Sequence, residues 1–249
     1  MIFYSPHRRK THGDILQSYN SFGFSGAKYV DCGNGASLQI TGNFSMAIWV
    51  YLDSGNNGLN TPIFGKWNTS TNQRAWSLKY RDESGQDDLR FTLHDTGDGL
   101  SNSAVLNATP SSGFGAWYHV GASYDGSNAK LYLNGSEADT TAYTAGIHNS
   151  TANVQIGADN AGATTNFTGD LTMPMIFDVA LSADNFSSLY NGGTPMIYSK
   201  IDTAITNDCV MCLELTSNDA TLNDISAESN NGTGTGSPTS DGELITFET

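Results

Sequence analysis

GFGAWYHVGASYDGSNAKLYLNG, residues 113–135, reads as two strands and two turns. Trp117, His119, Gly121 and Ser123 alternate with Tyr118, Val120, Ala122 and Tyr124, so the two sets point to opposite sides of one strand. Asp125-Gly126 makes a turn, Lys130 to Leu133 a second strand, and Asn134-Gly135 another turn. Short aromatic-rich strands closed by DG and NG turns specify an antiparallel sheet.

The pattern continues outward in both directions. In NFSMAIWVY, Asn43 to Tyr51, Phe44, Met46, Ile48 and Val50 share one face. Trp49 and Tyr51 take the other, as packing or as the wall of a concave binding surface. Thr61 to Lys66, Ala75 to Tyr80, Asp87 to His94, Ala104 to Leu106 and Asn153 to Gly157 read as further strands. In the third of these, Leu89, Phe91 and Leu93 oppose Asp88, Arg90, Thr92 and His94. Thr140 to Thr151 reads as a loop. A long strand runs from Leu171 to Val179, and Pro174 marks a bulge or an edge in it. Ser182 is an N-cap for a short helix, Ala183 to Tyr190, which Gly192-Gly193 ends. Cys209 to Leu215 and Leu244 to Phe247 are the last expected strands.

Several of these stretches carry a resemblance. W-x-H-V-x-x-x-Y-D-G followed by K-L-Y-x-x-G is similar to the central motif of the laminin-G-like, concanavalin A-like jelly-roll family, which includes phage and viral structural proteins. Gly26-Ala27-Lys28-Tyr29-Val30, Phe44 to Trp49, NVQIG at 153–157 and FTGDLTMPMIFDVALS at 167–182 resemble its other signatures. The resemblance covers Phe22 to Gly193. It implies an all-β, antiparallel two-sheet jelly-roll sandwich with one short helix. It also implies carbohydrate recognition, adhesion or a viral structural role, without choosing among them. His119 carries the motif's histidine, whose implied role is hydrogen bonding between strands.

Leu213-x-Leu215, Asn223-Asp224-Ile225-Ser226 and Asn231-Gly232-Thr233 resemble the family's usual opening but stand at the end of this chain. They either add back to the sandwich or open a truncated second copy. A tail of about 50 residues is too short for a second sandwich. The expected organisation is an N-terminal arm, 1–22, and one sandwich, 23–249, with 200–249 as a C-terminal extension packing on it.

The net charge is -14, and three of the eleven basic residues sit together as Arg8, Arg9 and Lys10. So acidic a body argues against nucleic acid and anionic membrane surfaces as partners. No stretch approaches a membrane span. Ile2-Phe3-Tyr4 is too short for a secretory leader and precedes the basic cluster. His7 and His12 read as solvent-exposed. Cys32, Cys209 and Cys212 read as buried free thiols, with a bridge from Cys32 to the tail as the alternative. Cys209 and Cys212, if Val210 and Met211 lie in a strand, face opposite sides and cannot share a metal.

Glycoside hydrolysis needs two carboxyl groups about 5–9 Å apart, and relatives that hydrolyse carry an E-x-D-x-E pattern. Here the glutamates are Glu83, Glu137, Glu214, Glu228, Glu243 and Glu248, none paired at even spacing within a core strand. Asp87 and Asp88 are adjacent and diverge. No nucleophile elbow, H-E-x-x-H or phosphate loop occurs. His94 and His119 read as core or sheet-surface histidines. No catalytic residue is assigned, and the chain is read as a non-enzyme. Calcium is the candidate cofactor, with Asp53, Asp95, Asp98, Asp159, Asn160 and Asp170 as loop oxygens; each also reads as a turn-former, as Asp125 does. Trp67, Trp76 and Tyr80 are candidates to stack on sugar rings.

The first functional expectation is a virion structural or decoration protein at the virion surface. Its partners would be other virion proteins or copies of itself, with residues 1–22 attaching it. The alternative is an extracellular carbohydrate-binding or adhesion module. The third reading is a degenerate glycoside hydrolase.

Overall fold

Alternating apolar residues build two antiparallel sheets that pack face to face. The computed structural model describes residues 17–19, 21–56, 58–83, 86–100, 102–160, 166–213, 221–236 and 245–247. The first strands are β1 (Gln17–Tyr19), β2 (Phe22–Phe24), β3 (Tyr29–Asp31), β4 (Phe44–Leu52), β5 (Asn60–Asn68), β6 (Gln73–Glu83), β7 (Gln86–His94) and β8 (Ser103–Ala108). After them come β9 (Ala116–Tyr124), β10 (Asn128–Leu133), β11 (Ser136–Ala142), β12 (Val154–Ile156) and β13 (Gly169–Phe177). Helices α1 (Ala183–Tyr190) and α2 (Thr203–Thr206) lead to β14 (Cys209–Cys212), β15 (Thr221–Leu222), β16 (Gly232–Thr235) and β17 (Ile245–Phe247).

One sheet has the order β11-β10-β9-β4-β13-β14. β2 and β14 share one flank of β13, β2 along Gly169 to Leu171 and β14 along Met175 to Phe177. The other sheet has the order β15-β16-β3-β12-β5-β6-β7-β8. β1 and β17 pair with each other as a separate ribbon. The tail therefore pairs with the same two sheets, through β14 on β13 and β16 on β3.

The core between the sheets takes Phe44, Met46, Ile48 and Val50 from β4, Leu89, Phe91 and Leu93 from β7, and Tyr118, Val120, Ala122 and Tyr124 from β9. These are the faces that alternation assigned. The DG and NG turns form as read. Asp125 Oδ1 accepts from Ser127 N and Asn128 N, and these backbone bonds hold its carboxyl below the ordinary range. Asn134 takes a left-handed conformation, φ 51°.

A second apolar layer lies on the outer face of the first sheet. Trp49, Tyr132, Met175 and Phe177 pack there against Phe186 and Leu189 of α1 and against Ile201 and Ile205. Ser182 caps α1 in a capping box with Asn185, and Asn191, left-handed at φ 46°, ends it. Trp49, considered above as a wall of a binding surface, is thus covered.

Pro174 marks a bulge, one of the two readings the sequence allows: the register shifts between Thr172 and Met175, with Met173 at φ 50°. Two local expectations change. Ser136 to Ala142, part of which reads as loop, is β11, an exposed strand closing the sheet edge beside β10. A bulge also shifts β14 against Ile176 and Phe177. It puts Cys209 and Cys212 together in the outer layer, not on opposite sides, while Val210 and Met211 enter the core. All three cysteines are buried free thiols. Burial pushes the thiols of Cys32 and Cys209 up, Cys209 to about 12. The basic trio, His7, His12, Glu214, Glu243 and Glu248 lie outside the described residues.

Candidate functional site

A cross-strand row runs over the outer face of the second sheet. Backbone pairing sets Asp31 beside Gln155, Gln155 beside Gly65, Gly65 beside Ser77, and Ser77 beside Thr92. Each is the outward residue between inward neighbours, as Gln155 is between Val154 and Ile156. At one end of the row opens a cleft of about 330 Å³. Asp31, Trp67, Asn68, Thr71, Asn153 and Gln155 are among its lining residues.

Asp31 is fixed by neutral donors. Its Oδ1 accepts from Gly33 N at 2.8 Å and Asn153 Nδ2 at 2.9 Å. Its Oδ2 accepts from the same Nδ2 at 3.0 Å and from Gln155 Nε2 at 3.4 Å. Asn153 Nδ2 bridges both oxygens, so three donor groups share the about four acceptor positions of the carboxylate.

Trp67 supplies the apolar wall. Its ring lies 5.1 Å from that of His94, edge-on, and Lys79 Nζ stands 5.6 Å from its centroid. Trp67 Nε1 and His94 Nδ1 are buried with no hydrogen-bond partner. Burial, then the Arg74 charge, lowers the His94 pKa, which favours the neutral ring. Lys79 also closes an ion pair with Asp159 at 2.8 Å.

The rims are tied down. Thr69 N donates to Asn160 Oδ1 at 2.6 Å, and Asn160 Nδ2 donates to Thr69 Oγ1 at 2.9 Å. Thr151 N donates to Gln73 Oε1 at 2.8 Å, and Ser150 Oγ to Gln73 O at 3.1 Å. Lys66 is buried behind the cleft. Its Nζ donates to Ala152 O at 2.7 Å and to Asn34 Oδ1, and burial draws its pKa down to about 8. An aromatic plane beside a fixed carboxylate, amides and hydroxyls can hold a polyhydroxylated ring by stacking and hydrogen bonding.

Of the three stacking candidates, only Trp67 borders this cleft. Trp76 and Tyr80 are 2% and 1% exposed and belong to the core, because their alternation puts them on the inward face of β6. Asp31, Asn153 and Gln155 were not singled out from sequence. Their outward positions are readable from alternation, but their meeting depends on β3 pairing with β12 across more than 120 residues.

The calcium candidates do not converge. Asp53 accepts from Gly55 N, Asp98 from Thr96 Oγ1 and Leu100 N, and Asp95 from Asn102 Nδ2. Asp159 and Asn160 serve the cleft rim, and Asp170 lies in β13. Among the described residues no group of three or more His, Cys, Asp or Glu side chains could hold a metal. Asp87 accepts from Tyr80 OH, and Asp88 pairs with Arg81 at 2.5 Å.

His119 differs from its implied role. The ring is fully buried, neither nitrogen has a hydrogen-bond partner, and burial lowers its pKa to about 3. It lies against Trp49 at 5.2 Å and Tyr190 at 6.3 Å. The link to Asn134 runs through the backbone: Asn134 N donates to His119 O at 2.8 Å, and His119 N to Asn134 Oδ1 at 3.0 Å.

Comparison with known proteins agrees with this fold. The sequence model of the concanavalin A-like lectin/glucanases superfamily matches residues 24–186, well over half of the chain. Pappalysin-1 of Mus musculus is 26% identical over 107 residues, 41% of this chain and 7% of that protein. Among solved structures, the chain is similar to a provisionally assigned carbohydrate binding protein from Bacteroides ovatus ATCC 8483. There the TM-score is 0.64 at 18% identity, over 89% of this chain and 59% of that one. It is also similar to the IT-sialidase CBM40 of Ruminococcus gnavus bound to α2,6-sialyllactose, TM-score 0.53 at 17% identity, over 70% of this chain and 98% of that one. At these identities the likeness to the solved structures is one of fold. Among the described residues, no helix is long and apolar enough to cross a membrane.

Proposed function

We propose that this chain, which belongs to the concanavalin A-like lectin/glucanases superfamily, is a carbohydrate-binding module whose sugar site is the cleft between Asp31 and Trp67. The observation that carries this reading is their joint placement: a carboxylate held by neutral amides and a half-buried indole line one cleft of about 330 Å³. The Bacteroides and Ruminococcus structures, named for carbohydrate binding, support it at the level of fold.

The module is non-catalytic in this reading. Among the described residues that line the cleft, Asp31 is the one carboxylate, and hydrolysis of a glycosidic bond needs two. A glycan ligand suits a protein displayed outside the cell or on a surface. The virion role, which sequence placed first, draws no support from the relatives reported above, and the basic arm on which attachment rests lies outside the described residues.

A glycan array followed by titration calorimetry tests the proposal. Binding of a defined oligosaccharide is expected, weakened at least about tenfold, or ~1.4 kcal/mol, by Trp67→Ala. No binding across the array would overturn it. So would release of reducing ends from glucans or galactans that disappears on substitution of one Asp or Glu.

A further inference from the structure

We infer that the Asp31–Trp67 cleft selects neutral sugars and rejects those that carry a carboxylate. The inference rests on the carbohydrate-binding reading and goes beyond it by assigning the ligand's charge class.

The charge distribution carries it. Among the described residues that line the cleft, Asp31 is the one acidic or basic side chain. Among the described residues no cation pairs with it; its donors are the Gly33 backbone and the side-chain amides of Asn153 and Gln155. Of the nearby cations, two pair with carboxylates and the others hydrogen-bond neutral oxygens, and none of them lines the cleft. Lys79 is paired with Asp159, so the two add no net charge. The Lys66 ammonium is buried against Ala152 O and Asn34. Farther along the same sheet, Arg81 pairs with Asp88, Arg90 Nε donates to Asn107, and Arg74 donates to Gly97 O. His94, beside Trp67, has its pKa lowered and adds no charge.

A sugar in this cleft therefore has the Asp31 carboxylate as the one charged group among the described residues that line it, on a chain whose net charge is -14. Hydroxyl groups donate to that carboxylate and are favoured. A uronate or sialate carboxylate placed there meets a like charge, with no Lys, Arg or His among the described lining residues to receive it. Selection against acid groups is thus built from a repulsive element beside the attractive one.

The test uses the full chain on an array of matched pairs: lactose with sialyllactose, galactan with galacturonan oligomers, and N-acetylglucosamine oligomers with hyaluronan oligomers. Binding is expected on neutral members, with acidic partners at least about tenfold weaker. Acidic members bound as well as their neutral partners would overturn the selectivity while leaving the carbohydrate reading intact. No binding to any member would overturn both. Asn153→Lys, at an exposed rim position beside Asp31, should raise the acidic-to-neutral ratio at least about fivefold. Asp31→Asn should raise it as well. An unchanged ratio in a folded Asn153→Lys protein would overturn the assignment to this cleft.

Discussion

Phe186 occupies the space that a side chain on Gly121 would need: a Cβ there would stand 2.3 Å from its Cε1 and 2.4 Å from its Cδ1. Gly121 lies in the middle of β9, opposite Ala47 on one side and Tyr132 on the other. The Phe186 ring stacks on Tyr132 with centroids 4.1 Å apart. Gly121→Ala should overpack this contact and cost about 1–3 kcal/mol in denaturant melts. Phe186→Ala should cost about 3–5 kcal/mol. The double variant should cost less than the sum, because the added methyl then enters vacated space. Strict additivity would refute the contact.

His119 makes stability depend on acid. Its folded pKa is about 3 against an ordinary 6.5, since burial disfavours the charged ring. Between those values the unfolded chain binds a proton at residue 119 that the folded chain refuses. Stability therefore falls as pH drops, by about 1.4 kcal/mol per pH unit well below 6.5. His119→Leu loses no ring hydrogen bond, so it should retain stability at pH 7 and lose about 1–2 kcal/mol less than the parent at pH 5. Urea melts at both pH values measure this, and parallel losses in the two proteins would refute it.

Ile48 and Phe91 meet the core from opposite sheets, and both are fully buried. Truncating either to alanine should cost roughly 2–5 kcal/mol through lost burial and the cavity left behind. A change under about 0.5 kcal/mol in denaturant melts would contradict their placement.

The sandwich was legible in the sequence because period-two alternation survives in β4, β7 and β9, whose inward faces are apolar and unbroken. It failed where a bulge breaks the period. One extra residue in β14 returns Cys209 and Cys212 to the same layer, and no propensity marks that residue. β11 was missed because SEADTTA carries little apolar signal on an exposed edge. Trp67 was picked as a candidate, but so were Trp76 and Tyr80. Composition alone cannot say which aromatic residue faces outward when β5 and β6 shift register between Lys66 and Trp67. Asp31 and Gln155 meet only through long-range pairing.

Asp224 anchors the tail. Its carboxylate accepts from Cys212 N and Asn230 N at 2.8 Å, Ser226 N at 2.9 Å and Ser226 Oγ at 2.8 Å. Asp224→Ala leaves these donors unpaired and should cost roughly 2–3 kcal/mol. Limited proteolysis should then cut within 221–236 at protease levels the parent resists. Equal resistance would show that β15 and β16 hold without it.

The ribbon of β1 and β17 sets Gln17 opposite Phe247 and Tyr19 opposite Ile245. Paired antiparallel residues stand roughly 4.5–5.5 Å apart, so the path into the sandwich and the path out of it share one doorway. A host protein can therefore receive the whole unit at a surface loop whose own ends stay together, much as a plug enters a socket. Anything fused beyond either strand projects from that same doorway.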